Sequence, residues 1–503
     1  MTTGMVVGVD AEPIQVEATA RSASDGTPRI LGLVDATVRE AYHRVLNAFF
    51  ALGLPSPRGV TTVNFAPASL RKRGHGFDLP LALALAGAGG MWPPERARGL
   101  CAFGEISLRG RVLPARGIVS VALMARARGH GTLLCSPDDA ALCEGIADLQ
   151  VLGAPTVADA LYWVAGRRDL PPPPERTAAT PPRCPDLADL RGHETPKRAL
   201  CAAAAGGHNL LFVGPPGSGK TALCRRLPGL LPPCSDDERL QILQVHAAAG
   251  LPEPGGAQRP LRAPHHTSST VSLLGGGADV RPGEVTLAHH GVLFLDELPE
   301  FRRDALEALR QPLEDGIVTV GRASGTVTMP AAFALVAAMN PCPCGYLGHP
   351  ARPCTCTPPA VQRYRRRLSG PLLDRLDLQV EVPALDPLEL QQARDPAHGS
   401  ERLRHHIAAA RAFQRERNGR LGASLANARL ADRILELACP AGPRVHDALL
   451  QVLRLHRAGA RARVRLLRVA RTLADLDQRP ELTVDDVLEA AALRGFARQG
   501  ALP

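Results

Sequence analysis

Two stretches decide the fold of this chain: GPPGSGKT at Gly214–Thr221 and GVLFLDE at Gly291–Glu297. The first matches the pattern G-x-x-x-x-G-K-[ST], in which a glycine-rich turn directs backbone N–H groups at phosphate oxygens. It follows a short apolar strand candidate, His208–Val213, and Ala222–Leu227 can continue as a helix. The second stretch is an apolar run that ends in two carboxylates. Together they predict a P-loop ATPase with an α/β core.

The size and composition of the chain are those of a folded protein with several domains. Its 503 residues exceed what one compact core holds, so two or three domains are expected. No apolar run approaches the roughly 20 residues of a membrane span, and the first residues, MTTGMVVGVD, lack the pattern of a secretion signal. We therefore expect a cytoplasmic protein with no membrane partner, whose twelve cysteines form no disulfide framework.

Positive charge is concentrated towards the carboxyl end of the chain. The net charge is +10, and residues 401–503 hold 19 arginines against 11 acidic residues, which is +8 of that excess. Lysine occurs only at Lys72, Lys197 and Lys220, so nearly all of the positive charge is arginine. A genome rich in G and C would explain this preference for arginine over lysine without any function. Because a basic face attracts phosphate backbones, the uneven charge also favours a nucleic-acid partner.

A proline-rich segment, Leu170–Pro185, divides the chain. It cannot continue a helix or a central strand, so it predicts a linker. The residues before it mix short strand-like and helical segments, and those after it carry the nucleotide motifs and then become helical. The predicted domains are 1–168, 188–384 and 385–503, with a linker at 169–187.

The helical pattern of the last domain divides into six segments. Thr483, followed by Asp485 and Asp486, is a candidate start for the last of them. The six predicted helices are Pro387–Ala393, Ser400–Asn418, Asp432–Leu437, Pro443–Ala458, Ala462–Leu476 and Val484–Arg494.

Each residue type in the two nucleotide motifs suits one part of ATP chemistry. Lys220 brings a positive charge to the β- and γ-phosphates, while Thr221 and Asp296 offer oxygens to Mg²⁺ and its hydration shell. Glu297 is the candidate general base for the attacking water, although two acids after a strand can also be a merely solvated strand end. The candidate cofactor-binding residues are Gly214, Pro215, Pro216, Gly217, Ser218, Gly219, Lys220, Thr221 and Asp296.

Asn340 follows the predicted strand Phe333–Met339. An amide at the tip of a central strand can orient the attacking water, because it is a neutral donor and acceptor. Taken alone, the residue would be a turn residue before Pro341. Its position after the two nucleotide motifs favours the catalytic interpretation.

Arg375 lies in SGPLLDRLDL, Ser369–Leu378. In most P-loop folds an arginine here is remote from its own phosphate loop but can reach the γ-phosphate of a neighbouring subunit. Such an arginine finger stabilises transition-state charge and makes hydrolysis depend on assembly. The alternative is a salt bridge with Asp374 or Asp377.

Six segments carry a resemblance that spans nearly the whole chain. On them the chain resembles the magnesium-chelatase-like AAA+ family, and within it the ComM/YifB proteins. The resemblance implies an α/β AAA+ core with a C-terminal helical lid, a homo-hexameric ring, and ATP-driven branch migration on single-stranded and branched DNA during natural transformation. The segments are Asp189–Asn209, Arg262–Gly277, Pro282–Gly316, Asn340–Gly345, SGPLLDR at residues 369–375 and Arg465–Leu476.

The resemblance also implies roles for single residues. One departure is His193, where the family pattern predicts glutamine; it would alter packing at the adenine and leave phosphate chemistry unchanged. The assignment of sensor 2 depends on the resemblance alone, since its helix carries several other arginines. The resemblance assigns Lys220 and Thr221 to the Walker A motif and Asp296 and Glu297 to the Walker B motif. It assigns Asn340 to sensor 1, Arg375 to the trans arginine finger and Arg461 to sensor 2.

Two insertions of this subclass usually face the pore of the ring. The first is predicted around Arg262–Gly277, where His265 and His266 are expected to pack or to face DNA rather than to bind a metal. The second, Val318–Met329, has the pattern of a β-hairpin. Arg322 at its tip is the candidate DNA contact, and a solvent-exposed turn arginine is the alternative.

The N-terminal region resembles the Lon-protease-type domain, an α+β fold of the ribosomal S5 domain 2 type, at Gly76–Leu85 and Gly104–Ile118. A Lon-like peptidase needs a serine that a lysine activates. However, Gly76–Leu85 contains no serine and Gly110–Arg128 contains no lysine. We therefore predict a non-proteolytic module for binding or assembly.

Four cysteines form the pattern C-x-C-x₉-C-x-C, at Cys342, Cys344, Cys354 and Cys356. Four soft ligands on two short arms can enclose tetrahedral Zn²⁺, although the one-residue spacing is tighter than the usual two to four. His349 is a further candidate ligand, and unliganded thiols in a reducing compartment are the alternative. A bound Zn²⁺ would be structural and would hold the loop beside Asn340.

The sequence thus predicts an ATP-dependent hexameric motor that moves on DNA and drives branch migration. Two other functions use the same motifs: a chelatase-type motor that remodels a protein partner, and a non-catalytic ring that holds nucleotide as a structural element. The Lon-like domain and the paired cysteines argue against the first. Glu297 and Arg375 argue against the second.

Overall fold

The computed structural model describes most of the chain. The predicted linker is described except for residues 176–183, and the predicted helix Pro387–Ala393 lies outside the described residues apart from 389 and 391. Among the described residues, no helix combines the length and the apolar character needed to cross a bilayer. The described residues are 1–21, 27–57, 59–175, 184–252, 258–277, 280–322, 325–386, 389, 391, 395–423 and 425–495.

The first part of the chain forms a seven-stranded mixed sheet in the order β3-β4-β2-β1-β5-β8-β9. Alternate residues of β2, such as Ile14 and Val16, are buried, as expected where one face of a strand packs on a core. The strands are β1 Thr2–Val7, β2 Asp10–Arg21, β3 Arg29–Leu31, β4 Val60–Ala66, β5 Leu100–Ala102, β8 Thr132–Cys135 and β9 Gln150–Gly153, with the pair β6 Glu105–Ile106 and β7 Val112–Leu113. The helices are α1 Ala36–Ala51, α2 Asp78–Ala88, α3 Ile118–Ala127, α4 Pro137–Leu142 and α5 Val157–Val164.

The nucleotide motifs lie on a five-stranded parallel sheet in the order β11-β14-β17-β10-β18. Its central strands are continuous apolar runs, which is the pattern of strands covered on both faces. The strands are β10 Leu210–Val213, β11 Leu261–Arg262, β14 Val292–Leu295, β17 Ala334–Met339 and β18 Leu378–Glu381. An α/β core with a parallel sheet is therefore confirmed.

Helices surround this sheet. The helix predicted at Ala222–Leu227 is wrong in its bounds, since α7 ends at Cys224 and α8 begins at Leu227. Pro228 explains the break, because it has no N–H to continue the hydrogen bonds of α7. The helices are α6 Glu194–Gly206, α7 Lys220–Cys224, α8 Leu227–Leu230, α9 Asp236–Ala249, α10 Thr270–Leu274, α11 Glu284–Leu287, α12 Arg303–Ala308, α13 Arg310–Asp315, α14 Pro358–Arg365 and α15 Gly370–Leu373.

Two small antiparallel pairs project from the core, and one of them is the predicted hairpin. It consists of β15 Ile317–Arg322 and β16 Gly325–Pro330, which pair over their whole length. Val318 and Met329 at its root are buried in the core. The hairpin is therefore confirmed and is anchored at its root. The other pair is β12 Gly275–Gly276 with β13 Arg281–Pro282.

The last part of the chain is helical, as predicted. Thr483 begins the final helix with a capping box, in which its hydroxyl accepts the N–H of Asp486 and its own N–H is bound by the Asp486 carboxylate. Five of the six predicted helices are present in the described residues, with bounds that differ by a few positions. They are α16 Ser400–Arg420, α17 Asp432–Ala438, α18 Pro443–Leu455, α19 Ala460–Leu476 and α20 Val484–Leu493.

The N-terminal part packs directly on the part of the chain that carries the nucleotide motifs, through the turn between β1 and β2. Val9 is 2% exposed and belongs to the same core cluster as the hairpin root. Its carbonyl accepts hydrogen bonds from Ser120 Oγ (2.6 Å) and Gln244 Nε2 (2.9 Å). The Gly117 N–H also donates to the Ala247 carbonyl, at 3.1 Å. The two parts therefore share one interior. The Lon-protease-like assignment of the first part stays a prediction.

One arginine of the basic α19 points inwards. Arg471 is fully buried and donates to the carboxylate of Asp475 and to the carbonyls of Arg479 and Pro480. Asp475 is fully buried as well and also accepts from Asn427, at 2.7 Å. The positive charge of Arg471 is therefore neutralised inside the C-terminal helical region and is not available on its surface.

Replacing Asp475 with alanine should strongly destabilise the C-terminal helical region. The change leaves the Arg471 guanidinium buried without its counter-ion, which costs about 3–5 kcal/mol. Urea unfolding followed by circular dichroism measures the loss. Glu416→Ala is the control, because that carboxylate forms an exposed pair with Arg420 whose removal costs about 1 kcal/mol or less. Equal effects of the two changes would contradict the assigned role of the buried pair.

Candidate nucleotide site and cysteine cluster

Three neighbouring strands bring the predicted nucleotide residues to one edge of the sheet. β10 leads into the phosphate loop, β17 ends at Met339, directly before Asn340, and β14 ends at Leu295, directly before Asp296. All three are parallel, and the register pairs Val213 with Met339. Since carboxyl ends of parallel strands meet at the same edge, residues far apart in sequence converge there.

The phosphate loop requires its glycines. A Cβ on Gly214 would lie 2.1 Å from the Val382 carbonyl oxygen, a distance that no side chain tolerates. Gly217 and Gly219 have φ values of +77° and +86°, in the left-handed region that favours glycine. Gly219 is also the residue that precedes α7, so the loop delivers the chain to a helix N-terminus, as in known phosphate sites.

The Lys220 ammonium is held among oxygen acceptors. Its Nζ donates to the carbonyls of Gly214 (2.7 Å) and Pro215 (2.8 Å) and to Asn340 Oδ1 (3.2 Å). Burial lowers its pKa below the usual value, and the nearby Asp296 carboxylate opposes that shift. The Asn340 side chain therefore contacts the phosphate loop. The alternative interpretation of Asn340, as a simple turn residue, does not explain this contact.

Thr221 and Asp296 fit the ligand chemistry of Mg²⁺. The Thr221 hydroxyl donates to Asp296 Oδ2 at 2.7 Å, so one hydroxyl and one carboxylate oxygen lie side by side. Mg²⁺ prefers such hard oxygen ligands and keeps several of its waters. These two residues would hold the ion when ATP binds, and the ion would neutralise charge on the phosphates.

Glu297 has an unusual backbone and an unexpected neighbour. Its φ of +52° is in the left-handed region, which costs a non-glycine residue roughly 1–3 kcal/mol. Its carboxylate is 56% exposed, and His266 Nδ1 lies 3.6 Å from its Oε2. The His266 ring stacks on His265, with centroids 4.1 Å apart. The sequence predicted packing or a DNA-facing position for these histidines, and no spacing pattern indicated the contact with Glu297.

Arg375 forms an ion pair, but with neither of the predicted partners. Its guanidinium donates to the carboxylate of Glu314 and to the Pro371 carbonyl (2.7 Å). The predicted alternative, a pair with Asp374 or Asp377, is therefore wrong. Within the described residues, the Arg375 side chain has no hydrogen bond to the phosphate loop, and its Nε is buried without a partner.

The two acidic residues beside Arg375 have other partners. Asp377 is buried and faces His208, with Oδ2 3.1 Å from Nδ1, and this contact lowers the pKa of the carboxyl although burial alone would raise it. Asp374 lies 3.9 Å from Arg461 Nη1 and 3.7 Å from Arg465 Nη1. Arg461 is 83% exposed, so the candidate sensor 2 residue lies on the surface near the candidate finger. Its role stays a prediction.

His193 packs against the phosphate loop. The residue is buried and has a φ of +60°, immediately before α6. Its Nε2 lies 3.6 Å from the position of a Cβ on Gly219. Burial lowers the pKa of the imidazole, which favours the neutral ring. The residue that departs from the family pattern therefore lies beside the phosphate loop, and its effect on packing at the adenine stays a prediction.

The two predicted insertions contact each other. A Cβ on Gly276 would lie 3.7 Å from Val271 of the first insertion and 3.9 Å from Val320 of the hairpin. Arg262, at the start of the first insertion, is fixed by a two-pronged ion pair with Glu284, at 2.7 and 2.9 Å. Arg322 ends β15, and its side chain lies outside the described residues.

The four cysteines form the cluster that the sequence predicted. Their sulfur atoms all lie within 4.8 Å of one another, and three separations are 3.4, 3.5 and 3.6 Å. A tetrahedron with Zn–S bonds of about 2.3 Å has edges of about 3.8 Å, so the donor set fits Zn²⁺. His349 accepts backbone N–H groups of Ala351 and Arg352 through Nδ1 and is not part of the cluster. The cluster can therefore hold a metal.

Three sequence profiles of magnesium chelatase match this chain. The profile described as magnesium chelatase, subunit ChlI, matches residues 186–390. The profile described as subunit ChlI of Mg-chelatase matches residues 16–139. The profile for the C-terminal part of subunit ChlI matches residues 397–494.

Full-length relatives are similar over nearly the whole chain. Competence protein ComM of Haemophilus influenzae is 38% identical, covering 98% of this chain and 96% of the relative. Uncharacterized protein YifB of Salmonella typhimurium is 38% identical, with coverages of 99% and 97%. The YifB protein of Escherichia coli K12 is 39% identical, with the same coverages.

Proposed function

The chain belongs to the ComM/YifB family of magnesium-chelatase-like AAA+ proteins, and from this membership we propose that it is an ATP-driven DNA motor. The family indicates ATPase activity. The proposed motor is a homo-hexameric ring in the cytoplasm that translocates on single-stranded and branched DNA. It would promote branch migration when incoming DNA recombines during natural transformation, a role that the name of the competence-protein relative supports.

One observation carries the proposal of a shared ATP site. Lys220 is hydrogen-bonded to Asn340, the next residue Thr221 is hydrogen-bonded to Asp296, and Glu297 follows Asp296 in the chain; these five residues form one constellation. Arg375, in contrast, is bound to Glu314 and has no bond to that constellation within the described residues. A group that stabilises the transferring phosphate must touch it. We therefore assign Arg375, and Arg461 near it, to the site of the adjacent subunit.

In this mechanism each residue has one task. Lys220 binds the β- and γ-phosphates, and Thr221 with Asp296 holds Mg²⁺. Glu297 takes the proton of the attacking water, and Asn340 orients that water. Arg375 of the neighbour neutralises the charge that develops on the γ-phosphate. The proposed cofactors are ATP and Mg²⁺ here, and structural Zn²⁺ at the four-cysteine cluster.

The proposed DNA contact lies on the paired insertions. Arg322 at the end of β15 is the candidate residue for this contact. Because the root of the hairpin is packed in the core, we propose that the hairpin moves when the core moves. The N-terminal part, predicted as a non-proteolytic Lon-like domain, packs against the same root and would limit that motion. We propose that the N-terminal domain ends at residue 168, and that the domain with the nucleotide motifs runs from residue 188 to residue 384.

A second candidate function is a magnesium-chelatase-like motor that remodels a protein partner. The matches to ChlI profiles along the chain favour it. The two functions differ in their stimulus, because DNA should raise ATP turnover in the first and a protein partner should raise it in the second.

Strand displacement from a synthetic three-way junction tests the DNA motor. Wild type should displace the strand with ATP, whereas Glu297→Gln should not, because it cannot complete hydrolysis. Arg322→Ala should displace strands poorly while keeping the ATP turnover measured without DNA. Displacement by both wild type and Glu297→Gln, or by neither, would overturn the proposal.

A further inference from the structure

The cysteine loop, defined here as residues 341–357, lies against the phosphate loop. It leaves the sheet directly after Asn340 and returns to the fold at the start of α14. Every residue of this loop is described, and none belongs to a helix or a strand. Backbone hydrogen bonds of regular structure therefore do not determine its shape.

We propose that a Zn²⁺-bound cysteine loop forms one wall of the ATP site, so that metal occupancy sets the strength of ATP binding and the rate of turnover. This inference rests on the proposed ATPase function. The inference goes beyond a structural role for the metal, because the bound Zn²⁺ would hold Pro216 and Asn340 in position in the ATP site.

Contact between the two loops is close at Gly345. This glycine has a φ of +85°, and a Cβ on it would lie 2.6 Å from Pro216 Cδ and 2.7 Å from Pro216 Cγ. It would also lie 3.8 Å from Asn340 Cγ. Any other residue would push against the phosphate loop, so Gly345 permits a packing in which the cysteine loop supports Pro216 from one side.

The metal ligands bracket this contact. Cys342 and Cys344 lie just before Gly345, and Cys342 is fully buried. On the other arm, Cys356 Sγ accepts the N–H of Cys344 at 3.3 Å, and Cys354 Sγ accepts the N–H of Cys356 at 3.4 Å. Both arms therefore meet at the sulfur cluster, next to Gly345, the residue that packs on Pro216.

Outside the cluster, the described restraints on the loop lie at its start and within its exposed turn. The Pro341 carbonyl accepts from Arg365 Nε at 3.4 Å, and His349 Nδ1 accepts the N–H groups of Ala351 and Arg352. Arg352 also lies over the Tyr346 ring at 5.4 Å and donates to its hydroxyl, on the exposed side. A structural Zn²⁺ contributes folding free energy that short loops otherwise lack. Without it, the loop would release Pro216 and the Asn340 side chain that binds Lys220.

Metal content and ATP affinity test the inference on the full-length protein. Wild type should contain about one Zn²⁺ per chain by elemental analysis. Cys354→Ser with Cys356→Ser should lose the metal, bind a fluorescent ATP analogue more weakly, and turn over about 100-fold more slowly, since a shift of about 1 Å can cost that much. Cys234→Ser, a half-buried cysteine outside the loop, is the matched control and should keep all three values.

Two further measurements guard against simple misfolding of the double variant. Gly345→Val keeps all four thiols and should keep the metal, but it should weaken ATP binding by crowding Pro216. Chelation of wild type, followed by Zn²⁺ alone, should lower and then restore ATP affinity. Wild type that neither contains nor takes up Zn²⁺ would overturn the metal site. Unchanged ATP affinity after metal removal would overturn the coupling.

The DNA experiment can fail while this one succeeds, because neither metal content nor ATP affinity is measured with DNA present. Conversely, strand displacement by a metal-free wild type with full ATP turnover would contradict this inference and leave the motor proposal intact. The two proposals are therefore distinguishable.

Discussion

Arg375→Ala is expected to bind ATP with nearly the affinity of wild type and to lose about 10³–10⁵-fold in turnover. In the proposed mechanism, the guanidinium touches the transferring phosphate only in the transition state, and only across a subunit boundary. In the single chain it is occupied by Glu314 and the Pro371 carbonyl. The proposal therefore requires that Arg375 exchange Glu314 for phosphate oxygens of a neighbouring subunit. Steady-state hydrolysis, with nucleotide binding measured separately, gives both values.

Mixing two inactive variants separates a trans finger from any effect within one subunit. Arg375→Ala subunits retain an intact phosphate loop, and Lys220→Ala subunits retain an intact Arg375. In a mixed ring, some boundaries join the two intact halves, so part of the turnover should return. Arg366→Ala, an exposed arginine just after α14, is the control and should leave hydrolysis unchanged. Full hydrolysis by Arg375→Ala, or no recovery in the mixture, would refute the trans assignment.

Glu297→Gln is expected to bind ATP and to hydrolyse it about 10²–10⁴-fold more slowly. The amide has the size of the carboxylate but cannot accept the proton of the attacking water. Lys220, Thr221 and Asp296 are unaffected, so the nucleotide and Mg²⁺ should stay bound. Gel filtration after incubation with ATP should therefore recover unhydrolysed ATP with the protein.

Glu300→Gln is the matched control for this prediction. It is an exposed acid three residues further on, paired with Arg367 at 2.7 Å, and its loss should change turnover by no more than about twofold. Turnover by Glu297→Gln at the wild-type rate would show that another group removes the proton. His266, 3.6 Å away, would then be the next residue to replace.

The amino-acid sequence by itself determined the ATPase core. The phosphate loop has glycines at positions 214, 217 and 219 and a lysine at 220, and the second motif is an apolar strand followed by two acids; both signals are local and contiguous. The same holds for the hairpin and the lid helices, where alternation, helical periodicity and the Thr483 cap lie within short windows. The cysteine pattern likewise predicted the cluster, because its two arms are close in sequence.

Only the tertiary structure decided what each polar side chain contacts. Glu314 is 61 residues from Arg375, and His266 reaches Glu297 from another loop. Arg471 reads as one more basic residue of α19, yet it is buried on Asp475. Gly345 packs on Pro216, a residue of the phosphate loop that is far from it in sequence. Such partners depend on how distant segments pack, and residue type and spacing along one segment carry no information about that.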